Sequence, residues 1–255
     1  MKIVYGPIAS WRLGRSLGVD LLCSEKKICS FDCIYCQLEK SDKITSQRDT
    51  FVSTKNVEKE LKNALKQTTP DVITFSGTGE PTLAKNMHEV VNLIKGFTDI
   101  PLAILTNSTL LYDKNVYETL GNLDIIVAKL DAPNKELFQK INRPANGITF
   151  EKTLKGIKEL RQGFHGKFAL QIMFMKENKD YANDLAQLAK KIHPDEVQIN
   201  TPLRQCNIQP LSKEELDEIE KAFAGLNTLC VYKSQKPVTV PLDMMELIKR
   251  RRMEP

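Results

Sequence analysis

"CSFDCIYC", residues 29–36, sets Cys29, Cys33 and Cys36 within eight residues, spaced Cys-x3-Cys-x2-Cys. The triplet follows the apolar run "VDLLC" (19–23), which reads as a strand, and so occupies the first loop after it. Parallel α/β sheets and barrels bind ligands at the C-terminal ends of their strands, where such loops gather. Thiolates select zinc or iron–sulfur clusters. Structural zinc is closed by four ligands, and the chain's histidines, His88, His165 and His193, are all distant in sequence. Three cysteines on a 4Fe–4S cluster leave one iron without a protein ligand, and an open metal position is what chemistry requires. The plainer alternatives are a structural metal site completed by Cys206 or Cys230, or three unligated thiols.

Outward from this loop the chain alternates. "DVITFS" (71–76), "PLAIL" (101–105), "DIIVAKL" (124–130), "KFALQIMFM" (167–175) and "EVQIN" (196–200) are nearly continuously apolar, as strands buried on both faces should be. Between them, 53–67 puts Val57, Leu61, Ala64 and Leu65 on one helical face. In 178–192 the stripe is Tyr181, Leu185, Leu188, Ala189 and Ile192, with Asn178 at the N-cap position. Ser212 and Glu215 form a capping-box pattern. Gly96, Gly121, Gly163 and Gly225 follow helical runs, where a left-handed residue is wanted. Six strands alternating with helices predict parallel βαβ units, curled into an open or closed barrel or doubly wound. Residues 1–230 read as this unit. Residues 231–255 read as a tail: a last helix covering the barrel, or the start of a segment running past Pro255.

The 255 residues, 41% hydrophobic and 27% charged, describe a folded chain with a sizeable core, not a disordered one. A net charge of +5 permits a nucleic-acid partner without arguing for one. No apolar run approaches a membrane span and the N-terminus lacks a signal-peptide core, so the expected location is the cytoplasm. There, six cysteines point to metal or redox chemistry instead of disulfides.

Cys29-x3-Cys33-x-Tyr35-Cys36 after a first barrel strand resembles the signature of the radical S-adenosylmethionine (SAM) superfamily. The resemblance implies a partial or open (β/α)6-type TIM-like barrel of parallel strands with outer helices. It implies that Cys29, Cys33 and Cys36 hold a 4Fe–4S cluster whose open iron takes SAM, and that Tyr35 lies beside it. "SGTGEPT" (76–82) looks at first like a dinucleotide fingerprint. That reading fails, because Thr82 stands at the third glycine position and Pro81 intervenes. The stretch resembles instead the superfamily's Gly–Glu–Pro turn, which implies that Gly77, Thr78, Gly79, Glu80 and Pro81 approach the SAM amino group. Thr78 and Gly79 stand where a glycine pair is usual. "LTNSTL" resembles a Thr-Asn-Gly segment near SAM, implicating Thr106, Asn107 and Ser108, with Ser108 in place of glycine. "GPIASWRLGRSLGVDLL", "KLDA…INRP" and "QINTP" narrow the resemblance to small proteins similar to wyosine-base synthases. The second cysteine triplet that those synthases need for a second cluster is absent from the sequence.

Other candidates come from the residues alone. Lys129 and Asp131 point to one side at a strand's end, as a site or a plain ion pair. Asn142 and Arg143 follow in "INRP". Gln171, Met173, Gln198 and Asn200 interrupt apolar strands, and Asn200 lies at a strand end. Cys206 is a candidate hydrogen-atom donor for a later radical step, although a lone cysteine is more often inert. Cys23 and Cys230 read as core strand residues.

The resemblance implies reductive cleavage of SAM to a 5′-deoxyadenosyl radical, with an electron from a flavodoxin- or ferredoxin-type donor, and hydrogen abstraction from a substrate. Three readings stay open. One is modification of an RNA base, as in tRNA, which Arg12, Arg15, the Lys55/Lys59/Lys62/Lys66 stripe and Lys249-Arg250-Arg251-Arg252 favour. Another is an activase or maturase acting on a partner protein or peptide. The third is a non-enzymatic metal-binding module.

Overall fold

The computed structural model of the chain describes residues 1–38 and 44–251, Arg251 by its backbone alone. Five of the apolar runs form parallel strands: β3 (Val72–Phe75), β4 (Leu102–Thr106), β5 (Ile125–Lys129), β6 (Lys167–Met173) and β7 (Glu196–Asn200). β1 (Val4–Ser10) and β2 (Gly14–Val19) precede them and β8 (Thr228–Cys230) follows. The eight strands make one sheet in sequence order, with β1 antiparallel to β2 and every later pairing parallel. The sheet curls into a half-barrel.

The strand expected at 19–23 is in fact Gly14–Val19. Its alternation explains the error. Leu17 and Val19 face the helices, while Ser16 and Gly18 lie on the other, concave face, so "GRSLGV" does not read as an apolar run. Cys23 lies beyond the strand, half-buried with φ 40°, and is not a core strand residue. Cys230 is buried in β8. β1 is likewise no continuous apolar run: Tyr5 and Ile8 stand opposite Gly18 and Ser16, with Gly6 and Pro7 between them.

One row of side chains across the sheet faces the helices: Leu17, Ile73, Leu102, then Ile104, Ile126, Phe168, then Leu170, Val197. Against it pack α1 (Thr54–Leu65) through Val57 and Leu61, and α2 (Met87–Lys95) through Val90 and Ile94. α3 (Lys114–Leu120), α4 (Lys135–Asn142), α5 (Phe150–Gly163), α6 (Ala182–Ile192) and α7 (Lys213–Ala222) continue the outer layer. Each such fully buried side chain contributes about 1.5–3 kcal/mol.

Ser53 caps α1 by accepting from the Asn56 amide at 3.2 Å, and Ser212 and Glu215 form the expected capping box on α7. Asn178 is not a side-chain cap. A short turn, Lys179–Tyr181, separates it from α6, and Tyr181 is exposed instead of belonging to the stripe. Of the four glycines, only Gly225 is left-handed (φ 85°), whereas Gly96 and Gly121 end their helices right-handed and Gly163 closes α5.

The tail contains α8 (Met244–Arg251), which docks on the β1 edge. The Leu242 amide donates to the Gly6 carbonyl at 2.7 Å, and Lys2 Nζ pairs with Asp243 at 2.7 Å. No described helix is long and apolar enough to cross a membrane.

Phe75, fully buried, and Val238, 94% exposed, are the test of this layering. Phe75→Ala is expected to lose about 3–5 kcal/mol in urea unfolding, and Val238→Ala to change nothing measurable.

Candidate active site at the strand ends

The cysteine loop has no helix or strand of its own, so its backbone must find partners elsewhere. It finds them on two sides. The Ile28 amide donates to the Thr78 carbonyl and the Glu80 amide to the Ile28 carbonyl, both at 3.0 Å. On the other side lie residues 141–145, the end of α4 and the chain just past it. Asp32 N donates to Asn142 O (3.0 Å), Ile34 N to Ile141 O (2.9 Å), and Ala145 N to Ser30 O (2.8 Å). The "INRP" stretch is thus a brace for the cysteines. Gly79 makes the first contact possible, because a Cβ there would stand 1.6 Å from the Ile28 carbonyl oxygen. The backbone that approaches this glycine is the chain's own.

Glu80 is 2% exposed and gathers the ends of β3 and β4. Its Oε1 accepts from Thr82 Oγ1 and Thr106 Oγ1, each at 2.7 Å, and its Oε2 from the Asn107 amide at 2.6 Å. Burial raises its pKa, and these donors oppose the rise. Asn107 then reaches the loop, with Nδ2 2.9 Å from Ser30 Oγ and 3.5 Å from Cys29 Sγ. Ser108 is left-handed (φ 73°), and its hydroxyl donates to the Lys129 carbonyl at 3.0 Å.

Asp131 is the second hub, also 2% exposed. Tyr35 OH donates to its Oδ2, as does Asn142 Nδ2 at 3.0 Å, and the Met173 amide donates to Oδ1 at 2.8 Å. Lys129 Nζ donates to Tyr35 OH at 2.9 Å, lies 4.6 Å from the centre of its ring and 3.7 Å from Asp131. Lys129 and Asp131 therefore form the ion pair, joined through the tyrosine of the cysteine motif. Burial, then the Asp131 charge, raises the Tyr35 pKa, so the phenol keeps its proton. Asn178, buried, completes this side by donating to the Asp131 and Met173 carbonyls. Asn200 stands beside Met173 at the end of β7, its Oδ1 accepting from Thr201 N at 3.0 Å. Cys206 is half-buried on the loop after β7, its thiol donating to the Ile208 carbonyl at 3.3 Å.

Burial raises the pKa of the Cys29 thiol and pushes Cys33 up to about 11. On Cys29 the charges of Cys33 and Glu80 add to the rise, and on Cys33 the Lys129 ammonium opposes it while Asp131 adds to it. Asn142 Nδ2 lies 3.6 Å from Cys33 Sγ, and the Phe31 amide 3.5 Å from Cys29 Sγ.

The family model described as the Radical SAM superfamily matches residues 27–189. The chain belongs to the radical SAM superfamily. A UPF0026 protein of Synechocystis sp. is 42% identical over 215 residues, covering 83% of this chain and 78% of the relative. A protein named GTPase Obg, from Brachyspira hyodysenteriae, is 37% identical over 229 residues. That match covers 87% of this chain and only 33% of the relative's length. Among solved structures, "Native anSMEcpe with bound AdoMet" shares the fold with a TM-score of 0.64 at 18% identity, covering 85% of this chain and 64% of that one.

Radical SAM enzymes use a 4Fe–4S cluster and SAM. The donor set here fits the cluster. Three thiols sit on one loop braced at the strand ends, with N–H groups aimed at two of the sulfurs. Among the described residues no group of three or more His, Cys, Asp or Glu side chains closes around a single ion. A cubane does not ask for that, since each cysteine binds a different iron. The sequence reading missed Lys27, whose side chain is 1% exposed and pairs with Asp32 at 2.7 Å. Burial lowers the Lys27 pKa, but Asp32 and the thiols of Cys36 and Cys29 outweigh it, and the net shift is upward. It also missed Asp20, the acceptor under Thr78. Neither residue carries a sequence signal beyond standing near a motif.

Gly79→Ala is expected to reduce iron uptake on anaerobic reconstitution to background while leaving the circular dichroism spectrum intact. Ser108 offers a finer check: a left-handed Cβ costs about 1–2 kcal/mol and the hydroxyl bond returns about 0.5–1.5. Ser108→Gly should therefore stay within about 1 kcal/mol of the parent in urea unfolding, and Ser108→Ala, which keeps the strain and loses the bond, should fall roughly 1 kcal/mol below it.

Proposed function

We propose that the half-barrel mouth binds a 4Fe–4S cluster through Cys29, Cys33 and Cys36, with SAM on its open iron, and that the protein cleaves SAM reductively. The observation that carries this reading is the clamping of the cysteine loop between the Gly79 turn and residues 141–145 at the C-terminal ends of the strands. Bound together, the cluster and SAM supply one-electron cleavage of a sulfonium and abstraction of a hydrogen atom from a substrate. The chain's own part is orientation and exclusion of water. Gly77, Thr78, Gly79 and Glu80 form one wall for SAM, Thr106, Asn107 and Ser108 the next, and Tyr35, Lys129, Asp131 and Asn200 the far side. Glu80 and Asp131 act by fixing the walls, because both oxygens of each already accept from protein donors. The electron comes from a flavodoxin- or ferredoxin-type donor in a reducing cytoplasm, where free thiols persist.

Part of the charge that favoured the RNA reading is taken up in pairs within the protein. Arg15 pairs with Asp71, Lys62 with Glu58, Lys249 with Glu25, and Arg250 with Asp20. The Arg251 side chain and Arg252 lie outside the described residues. A protein or peptide substrate, for which an open half-barrel leaves room, is the reading we favour over tRNA.

With dithionite and SAM under anaerobic conditions, the reconstituted protein should release 5′-deoxyadenosine, and Cys33→Ala should not. Iron retention without any 5′-deoxyadenosine would leave only a metal-binding module. Deuterium carried from a labelled peptide or tRNA into 5′-deoxyadenosine identifies the substrate class.

A further inference from the structure

Arg250 of α8 is 230 residues from Asp20 in sequence and meets it at 2.7 Å. Both side chains are almost fully enclosed, 5% and 1% exposed. The same guanidinium is fixed from several directions. Its Nε donates to Glu246 Oε1 at 2.7 Å, its Nη2 to the Lys2 carbonyl, and its plane lies 4.3 Å from the centre of the Tyr5 ring. Asp20 follows β2 and is fully engaged. Its Oδ1 accepts from the Leu22 amide at 3.0 Å, and its Oδ2 from the Thr78 amide at 3.1 Å and Thr78 Oγ1 at 2.9 Å. Gly77 leaves no room between them, since a Cβ there would come within 2.1 Å of the Asp20 carboxyl carbon. Thr78 in turn accepts from the Ser24 amide through Oγ1 and from the Ile28 amide through its carbonyl. An unbroken run of contacts therefore leads from the last helix to the residue beside Cys29.

We propose that Arg250 is a positioning residue for the Gly77–Glu80 turn: by supplying the cation that the enclosed Asp20 carboxylate needs, α8 holds that turn, and through it the cysteine loop, in binding geometry. Removing the cation leaves the buried Asp20 anion with only the neutral donors of Leu22 and Thr78, the costly half of breaking such a pair. The turn that Asp20 holds then shifts or opens. The inference rests on reading the Gly77–Glu80 turn as part of the SAM site.

The test measures amide hydrogen exchange and SAM affinity on cluster-loaded protein for the parent, Arg250→Met and Arg250→Lys. Arg250→Met should speed exchange at Ile28, Thr78 and Glu80 roughly tenfold or more, leave α5 within about twofold, and weaken SAM binding by about tenfold. Arg250→Lys should show a smaller rise at the same amides. Unchanged exchange at Ile28 and Thr78 in Arg250→Met overturns the proposal. So does a rise spread evenly through α5, which marks general destabilisation. If Arg250→Met does not accumulate folded, the lysine variant decides, and a flat profile at Thr78 counts against the proposal. A parent protein that binds no SAM overturns the reading of the turn, while the exchange profile still judges the link to α8.

Discussion

The site depends on backbone hydrogen bonding to a loop that has no regular structure. Residues 28–34 gain their shape from two borrowed edges, the Thr78–Glu80 turn and the 141–145 segment. Buried amides and carbonyls must be paired, so these edges dictate where the loop runs and hence where its sulfurs stand. Both edges arise from the barrel: one directly follows β3, the other ends the α4 excursion after β5. The half-barrel acts as a jig for a segment that would otherwise lack a single conformation.

Three enclosed carboxylates make the mouth rigid. Asp20, Glu80 and Asp131 are each at most 2% exposed, and each gathers donors from separate parts of the chain. Asp20 joins β2 to the Thr78 turn and α8, Glu80 joins that turn to the end of β4, and Asp131 joins the cysteine motif to β6 and Asn142. Burying a carboxylate is expensive unless it is fully hydrogen-bonded. Here the cost is met by donors that also align the loops. Asp20 and Asp131 have a cation beside them, Arg250 and Lys129, while Glu80 relies on neutral donors.

Charge that looks available in the sequence is largely consumed in the fold. Of the basic residues that made RNA attractive, Arg15, Lys62, Lys249 and Arg250 close internal pairs, and Lys129 is tied to Tyr35 and Asp131. Lys27 shows the opposite. It sits in the polar run "SEKKIC", where a solvated lysine would be expected, yet its ammonium is enclosed within the cysteine loop beside Asp32.

By itself the sequence determined the fold class, because Val- and Ile-rich runs separated by amphipathic helices admit few arrangements other than parallel βαβ units. It also determined the three thiols and the turns near them, whose spacing along one loop is a local property. It did not reveal β1, or that the strand expected at 19–23 ends at Val19, since residues on the concave face follow what lines the barrel and not what is apolar. Only the tertiary structure decided that Gly79 is a glycine for the sake of Ile28, that Asn142 braces Cys33, and that Arg250 answers Asp20. Those pairings join residues 50 to 230 positions apart, roughly counted. Nothing local marks them, because burial and charge compensation come into being only when distant segments close on one another.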